Sequence, residues 1–253
     1  MPTRRLMTKG LFNARDLGGF PTKDGRTTKF GVFVRSEAPV ELPEEDIAYL
    51  RCYGITASMD FRSTGECVAR PSDLREILPY YHRPLFHEAA IAAAQPQPLE
   101  NISWGAQYIS MAEESRDWAV DVLTIAAENP GALLYHCTTG KDRTGLMTCY
   151  LLAIAGVERA DIAADYCVSQ LFLEPVYEKM RAGAVRLGTQ LEGEAVQRML
   201  PKLDESFFQT PASAMLTLID DLASRYGGVT AYLRDIGVNA DVMEKIRRKF
   251  TEK

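Results

Sequence analysis

Short apolar runs separated by turn residues fill the first half of the chain, and helical periodicity dominates the second. In the N-terminal third, Gly18-Gly19 and Asp24-Gly25 read as turns, and Gly31-Val32-Phe33-Val34 reads as a strand. Pro43 opens a helix that carries Ile47, Leu50 and Tyr53 toward the core, and Gly54 ends it. Ile55 to Phe61 reads as a buried strand, and Ser63-x-x-Glu66 behind it has the capping-box spacing of a short helix. A further strand is predicted over Leu78 to Arg83. Residues 87–100 form the one low-complexity stretch, read as a loop or the flank of a lid. From Ser115 the pattern is helical, with Trp118, Val122, Ile125 and Ala126 on one face, ending near Asn129-Pro130-Gly131. Ala132 to His136 reads as a strand, and 144–155 as an apolar helix closed by Gly156. Helices are then predicted over 158–169, 174–182, 190–200, 211–226 and 240–250. Strands alternating with helices and followed by a helical half imply one α/β domain over 1–253.

Composition narrows the function classes. Hydrophobic residues make up 46% of the chain and charged residues 25%, as in an ordinary globular protein. The net charge of −5 gives no bulk attraction for nucleic acid, so no nucleic-acid partner is expected. Five cysteines at 52, 67, 137, 149 and 167 form no C-x-x-C pair, and there are only three histidines, so a zinc framework is not expected, and no cofactor is assigned. The start MPTRRLMTKG has no apolar run behind its arginines, and the longest apolar run, at 146–156, is too short to span a bilayer. No integral membrane segment is therefore expected. The default location is the cytoplasm, with export that needs no signal peptide as the alternative. Oligomeric state is not set by this pattern.

The chemistry concentrates in His136-Cys137-Thr138-Thr139-Gly140-Lys141-Asp142-Arg143-Thr144-Gly145. A buried strand runs into a seven-residue loop, and an apolar helix follows. Cys137 there faces a helix N-terminus, where free backbone N–H groups and Arg143 favour a thiolate over a thiol. The same amides, from Thr138 onward, suit three phosphate oxygens, and the planar fork of Arg143 can clamp two of them. Gly140 permits the tight loop. The Thr144 hydroxyl is placed to bond the sulfur or assist its departure. Lys141 adds a second cation, which suits a substrate with more than one phosphate.

His136 to Thr144 match H-C-x5-R-[ST], and the chain thereby resembles the cysteine-dependent protein tyrosine phosphatase superfamily. The fuller HCTTGKDRTG is similar to an atypical bacterial branch acting on phosphotyrosine and often on phosphoinositides. Asn13-Ala14-Arg15-Asp16-Leu17-Gly18-Gly19 and Asp60-Phe61-Arg62-Ser63-Thr64-x-Glu66 resemble two further motifs of that branch, and Tyr232-Leu233 with Ile236-Gly237-Val238 is a weaker fourth match. The resemblance implies a protein tyrosine phosphatase-like α/β fold: a central, mainly parallel sheet of four or five strands flanked by helices, with a helical C-terminal half. It also implies a metal-independent phosphatase with Cys137 as nucleophile, Arg143 as clamp, and a phosphorylated protein or phosphoinositide as substrate. Within this class, a phosphoinositide or inositol-phosphate phosphatase with little activity on peptides is the runner-up. A catalytically weak phosphate-binding module and a sulfurtransferase are the rivals outside it.

Departure of the leaving group needs a proton donor. The region 82–88 upstream of the cysteine holds no Asp, which leaves Asp142, Asp60 and Asp16, in that order, with His82 and His87 behind them. Arg15 and Arg62 are expected at the substrate. Alternatively, Arg15-Asp16 tie the N-terminal segment to the loop, Asp60 pairs with an arginine, and Arg62 pairs with Glu66. Cys52, Cys67, Cys149 and Cys167 are expected to be packing residues, with Cys67 the one candidate to resolve an oxidised Cys137. Residues 158–200 are read as a helical lid or as core. The run Lys245-Ile246-Arg247-Arg248-Lys249 is read as a solvated helix end, with membrane-surface contact as the minor alternative.

Overall fold

The structure is a computed structural model that describes residues 3–85, 103–188 and 209–253. Named in chain order, its strands are β1 (Arg15–Asp16), β2 (Thr27–Thr28), β3 (Phe33–Ser36), β4 (Ile55–Asp60), β5 (Tyr80–His82), β6 (Ala132–His136) and β7 (Thr251–Glu252). Its helices are α1 (Glu44–Tyr53), α2 (Thr64–Ala69), α3 (Trp104–Glu114), α4 (Arg116–Glu128) and α5 (Asp142–Ala155). They continue with α6 (Arg159–Val168), α7 (Leu173–Gly188), α8 (Ala212–Tyr226), α9 (Val229–Asp235) and α10 (Ala240–Phe250).

All five residues of β6 are buried, so this strand needs partners on both edges and cover on both faces. It has them. The sheet order is β1-β3-β6-β4-β5, with β3, β4 and β5 parallel in sequence to their neighbours and β1 antiparallel at one edge. This is the expected five-stranded, mainly parallel sheet. The pleat divides the core into two layers. Phe33, Leu133 and Tyr135 face the larger layer under the helices, whereas Val34, Ala132 and Leu134 face a smaller one. Ile55 joins the smaller layer although Ala57 and Met59 join the larger, because a register shift between Ile55 and Ala57 inserts Thr56 and reverses the alternation.

Some local signals act as read. Gly54 closes α1 in the left-handed region, and Ser63 with Glu66 makes both bonds of the capping box on α2. Other features differ. Helix α3 was not anticipated, because its buried face is partly Gly105 and Ala112, which carry little apolar signal. Helix α9 is too short for periodicity to register. The strand expected over 31–34 lies at 33–36, and α5 begins at Asp142 rather than 144. The antiparallel pair β2–β7 also went unforeseen, since two-residue strands distant in sequence leave no local pattern. The low-complexity stretch 87–100 and the helix expected over 190–200 lie outside the described residues.

The basic run on α10 is not a free cationic face. Lys245 pairs with Glu128 at 2.6 Å, Arg247 with Asp24 at 2.7 Å and Arg248 with Glu244 at 3.0 Å. Lys249 donates to the carbonyls of Asn129 (2.9 Å) and Ala126 at the end of α4, and burial pushes its ammonium down to about 8. Within 158–182, α6 is core: Ile162, Ala163 and Tyr166 are buried in the larger layer. No helix among the described residues is long and apolar enough to cross a membrane.

Candidate active site

The loop after the central strand lies where β3, β4 and β6 all end, so segments from three strand ends meet around it. Its carbonyls are tied off one after another. Thr138 C=O accepts from Ala38 N–H at 3.2 Å, and Thr139 C=O accepts from Asn13 Nδ2 at 3.0 Å. Gly140 C=O accepts from Arg35 at 2.7 Å, and Lys141 C=O accepts from Gly145 N–H at 2.8 Å as the first helical bond of α5. The amides of Asp142, Arg143 and Thr144 therefore lack partners within the helix. Gly140 has φ +72°, and a Cβ there would meet the Ser36 and Glu37 backbone at 2.6 Å, so only glycine fits. Cys137 begins this loop and is 2% exposed.

Arg143 rises from the first turn of α5 and is held by a carboxylate from α2, the short helix that follows β4. Its Nη1 donates to Glu66 Oε2 at 2.7 Å and its Nη2 to Glu66 Oε1 at 2.9 Å, a fork-to-fork pair. Further bonds run to Phe61 C=O at 3.2 Å and Thr138 Oγ1 at 3.1 Å. Burial would raise Glu66, but the Arg143 guanidinium outweighs it and holds the carboxyl near 2. Thr138 Oγ1 also donates to Glu66 Oε1. The Thr144 hydroxyl is buried with no hydrogen-bond partner among the described residues, so the expected bond to the Cys137 sulfur is not made.

Asp142, the first residue of α5, keeps a side chain 32% exposed. Its Oδ1 accepts from the Tyr108 hydroxyl at 2.5 Å, and that hydroxyl lies 2.9 Å from Tyr166. Burial raises the hydroxyl pKa of Tyr108 and of Tyr166, so both stay protonated donors. Tyr177 on α7 is buried nearby; burial and then the proximity of Asp142 and Cys137 raise its hydroxyl. Lys141 is 1% exposed, with its ammonium 4.0 Å over the Trp104 ring.

Comparison with known proteins bears on this geometry directly. A family model described as the tyrosine phosphatase family matches residues 6–252. The chain belongs to the tyrosine phosphatase family. It is 28% identical over 223 residues to a tyrosine-protein phosphatase of Nostoc commune, covering 85% of this chain and 72% of that one. It is 31% identical over 232 residues to a tyrosine-protein phosphatase homologue of Cupriavidus necator, covering 89% and 81%. A shorter match, 28% over 127 residues, links it to the triple specificity protein phosphatase PtpB of Mycobacterium tuberculosis, covering 50% and 45%. The protein is thus a hydrolase of the protein-tyrosine-phosphatase type.

Within this phosphatase several expected contacts fall elsewhere. Arg15 does not face substrate: it is 3% exposed, with its Nε on Asp165 Oδ1 at 2.9 Å and its Nη2 on Ser169 at 3.1 Å. Arg62 pairs with Asp60 at 2.7 Å and not with Glu66, because the turn after β4 folds the arginine back over the strand end. Asp60 is fully buried and also accepts from Tyr80 at 2.6 Å. Burial would raise it, but His136, Arg62 and Tyr80 together hold it far below the ordinary range, so it has no proton to give. Asp16 is equally buried and accepts from Gly18 N–H, Gly31 N–H and the Tyr53 hydroxyl, which fixes a turn. Its carboxyl is raised by burial, yet every bond it makes is structural.

Lys141 is withdrawn over Trp104 instead of projecting toward a second phosphate. His82 Nε2–H donates to the Arg62 carbonyl at 2.8 Å, and His87 lies outside the described residues. Cys67 lies 3.5 Å from Asp60 Oδ2 and 3.6 Å from His82 Nε2; burial and then Asp60 push its thiol up to about 11. Cys149 is sealed in the core and raised to about 12 by burial. Cys52 is exposed, and Cys167 is half-buried. Burial lowers His136 to about 4, so its ring is neutral at pH 7.

Three site residues escaped the sequence reading: Arg35, Asp165 and Tyr108. Arg35 and Tyr108 reach the loop from distant elements, Asp165 acts on it only through the arginines, and none stands in a motif. A signal existed only for Asp165, a charged residue on the apolar face of the helix predicted over 158–169.

Proposed function

We propose that this phosphatase hydrolyses phosphotyrosine esters, with phosphoserine and phosphothreonine as a secondary class, through a cysteinyl-phosphate intermediate. The observation that carries the reading is the bidentate hold of Glu66 on Arg143 at the rim of the loop that begins with Cys137. That pair fixes the plane of the guanidinium, so that Nε, and Nη2 once it exchanges its bond to Thr138 Oγ1, can meet two phosphate oxygens with a reduced positioning cost. Thr138, Thr139, Gly140, Lys141 and Asp142 supply backbone amides for the others.

In the first step the Cys137 sulfur attacks phosphorus and the P–O ester bond breaks. Asp142 gives its proton to the departing oxygen. Tyr108 occupies one oxygen of Asp142, so the proton travels on the other. In the second step Asp142 takes a proton from water, the resulting hydroxyl attacks phosphorus, and the S–P bond breaks to restore the sulfur. The unpaired Thr144 hydroxyl is available to the sulfur as it leaves.

Activity is tested on p-nitrophenyl phosphate, a phosphotyrosine peptide and phosphoinositide vesicles, with a chelator present and Cys137→Ser alongside. The reading expects chelator-resistant turnover of the peptide that Cys137→Ser abolishes. Turnover of the lipid alone would replace it with the phosphoinositide reading. No turnover of any ester would leave a phosphate-binding module.

A further inference from the structure

Behind the loop lies a polar network sealed from solvent that the mechanism above does not use. Asp165 on α6 is 1% exposed and holds two guanidiniums. Arg15 donates to Asp165 Oδ1 at 2.9 Å and to the Asp165 carbonyl at 2.8 Å, and Arg35 donates to Asp165 Oδ2 at 2.6 Å. Each arginine passes this constraint toward the loop. Arg35 donates to Gly140 C=O at 2.7 Å and lies 3.4 Å from Lys141 C=O. Arg15 donates to Asn13 Oδ1 at 2.5 Å, which turns the Asn13 amide so that Nδ2 donates to Thr139 C=O. The Asn13 backbone is itself held, its N–H donating to Glu37 Oε2 at 3.0 Å.

In a trans peptide the C=O and the following N–H point in opposite directions. Tying the carbonyls of Thr139 and Gly140 to this network therefore turns the N–H groups of Gly140 and Lys141 away from it, toward the cradle, while the helical bond of the Lys141 carbonyl to Gly145 sets the Asp142 N–H. Burying three charges here serves no evident gain in stability, since an apolar replacement packs as well or better.

We propose that Asn13, Arg35 and Asp165 are positioning residues that hold two consecutive amides of the phosphate cradle, those of Gly140 and Lys141, turned inward. Asp165 acts at one remove, by aligning the two arginines. This rests on the reading of the Cys137–Arg143 loop as the phosphate site.

The test compares the wild-type chain with Asn13→Ala, Arg35→Lys and Asp165→Asn. It measures kcat and KM on p-nitrophenyl phosphate and competitive inhibition by inorganic phosphate, normalised to folded protein by circular dichroism well below each Tm. Asn13→Ala and Arg35→Lys are expected to weaken phosphate inhibition about tenfold and to lower kcat/KM by at least that much. These losses stay below the 10²–10³-fold loss on deleting a transition-state donor outright. A purely structural role would lower Tm and leave phosphate inhibition of the folded fraction unchanged. Arg35→Lys keeps the positive charge but loses the fork, so unchanged affinity in that variant would assign the effect to charge and overturn the proposal. If Asp165→Asn does not fold, Asn13→Ala decides alone, because it removes one neutral hydrogen-bonding side chain. Folded variants within twofold of a fully active wild type overturn this inference only. A wild type that neither turns over esters nor binds phosphate overturns the phosphatase-site reading, and the inference with it.

Discussion

Two carboxylates six residues apart in one motif, Asp60 and Glu66, form ion pairs that behave differently. Asp60 and Arg62 pair with side chains 0% and 2% exposed, whereas Glu66 and Arg143 pair with side chains 28% and 15% exposed. The first seals the end of β4 beneath the loop. The second stands at the rim, where its arginine keeps access to a substrate. Burial explains the division of labour: a sealed pair is held by the cost of leaving either charge alone, while a rim pair can re-form its bonds around an incoming anion.

The sealed pair gives the largest expected effect. Asp60→Ala leaves the Arg62 guanidinium buried without its carboxylate, and should cost about 3–5 kcal/mol of stability, read by urea denaturation. A loss under about 1 kcal/mol would erase the contrast. At the rim, Arg143→Lys keeps the charge but not the fork, so kcat/KM should fall by about 10²–10³-fold with little change in Tm. Equal losses of Tm for Arg143→Lys and Asp60→Ala would mean that both pairs are structural.

Glu66→Gln sharpens the same point. Glutamine keeps the capping acceptor for Ser63 N–H but drops the charge that aligns Arg143. The rate should fall about tenfold and stability by about 1 kcal/mol. A variant with wild-type kcat/KM would show that Arg143 needs no rear carboxylate.

Acid should act on the two regions in sequence. His136 beside the sealed pair is lowered by burial from 6.5 to about 4. Between those values the unfolded chain binds the proton and the folded chain does not, so stability falls as pH drops through that window. Glu66 at the rim and Asp165 behind the loop are both held near 2 by their arginines, against the opposing effect of burial. Their contribution is complete above the ordinary carboxylate range and is lost as pH falls from about 4.5 toward 2. Urea midpoints at pH 7, 5.5 and 4 check this, and a flat profile from 7 to 5 would reject the role given to His136. The smallest effect is expected at Leu171, which is 74% exposed and far from both pairs in environment. Leu171→Ser should change stability by no more than about 0.5 kcal/mol.

Legibility followed the range of the interactions. The strand at 132–136, the capping box at Ser63 and the Pro43–Gly54 helix depend on residues within a few positions of each other, and each was readable from order alone. The loop from Cys137 to Arg143 was readable for the same reason, since cysteine, glycine and arginine stand within one short segment. The partner of Arg62 was ambiguous, because Glu66 and Asp60 both lie within reach along the chain. Lys141 was misplaced because local order shows a cation but not the Trp104 ring that covers it. Arg15 was misplaced for a similar reason, since its partner Asp165 lies 150 positions away.

By itself, then, the sequence determined the α/β layering, the place of the loop after the central strand, and the chemical types within that loop. Those outcomes rest on pleat and helix periods and on turn and capping residues, all of which act locally. The tertiary structure alone decided which carboxylate meets which arginine, which aspartates are sealed and which one keeps contact with solvent, and what turns the loop amides inward. Pairing and burial depend on which distant elements the parallel crossovers bring to one end of the sheet, and no short stretch of chain encodes that distance.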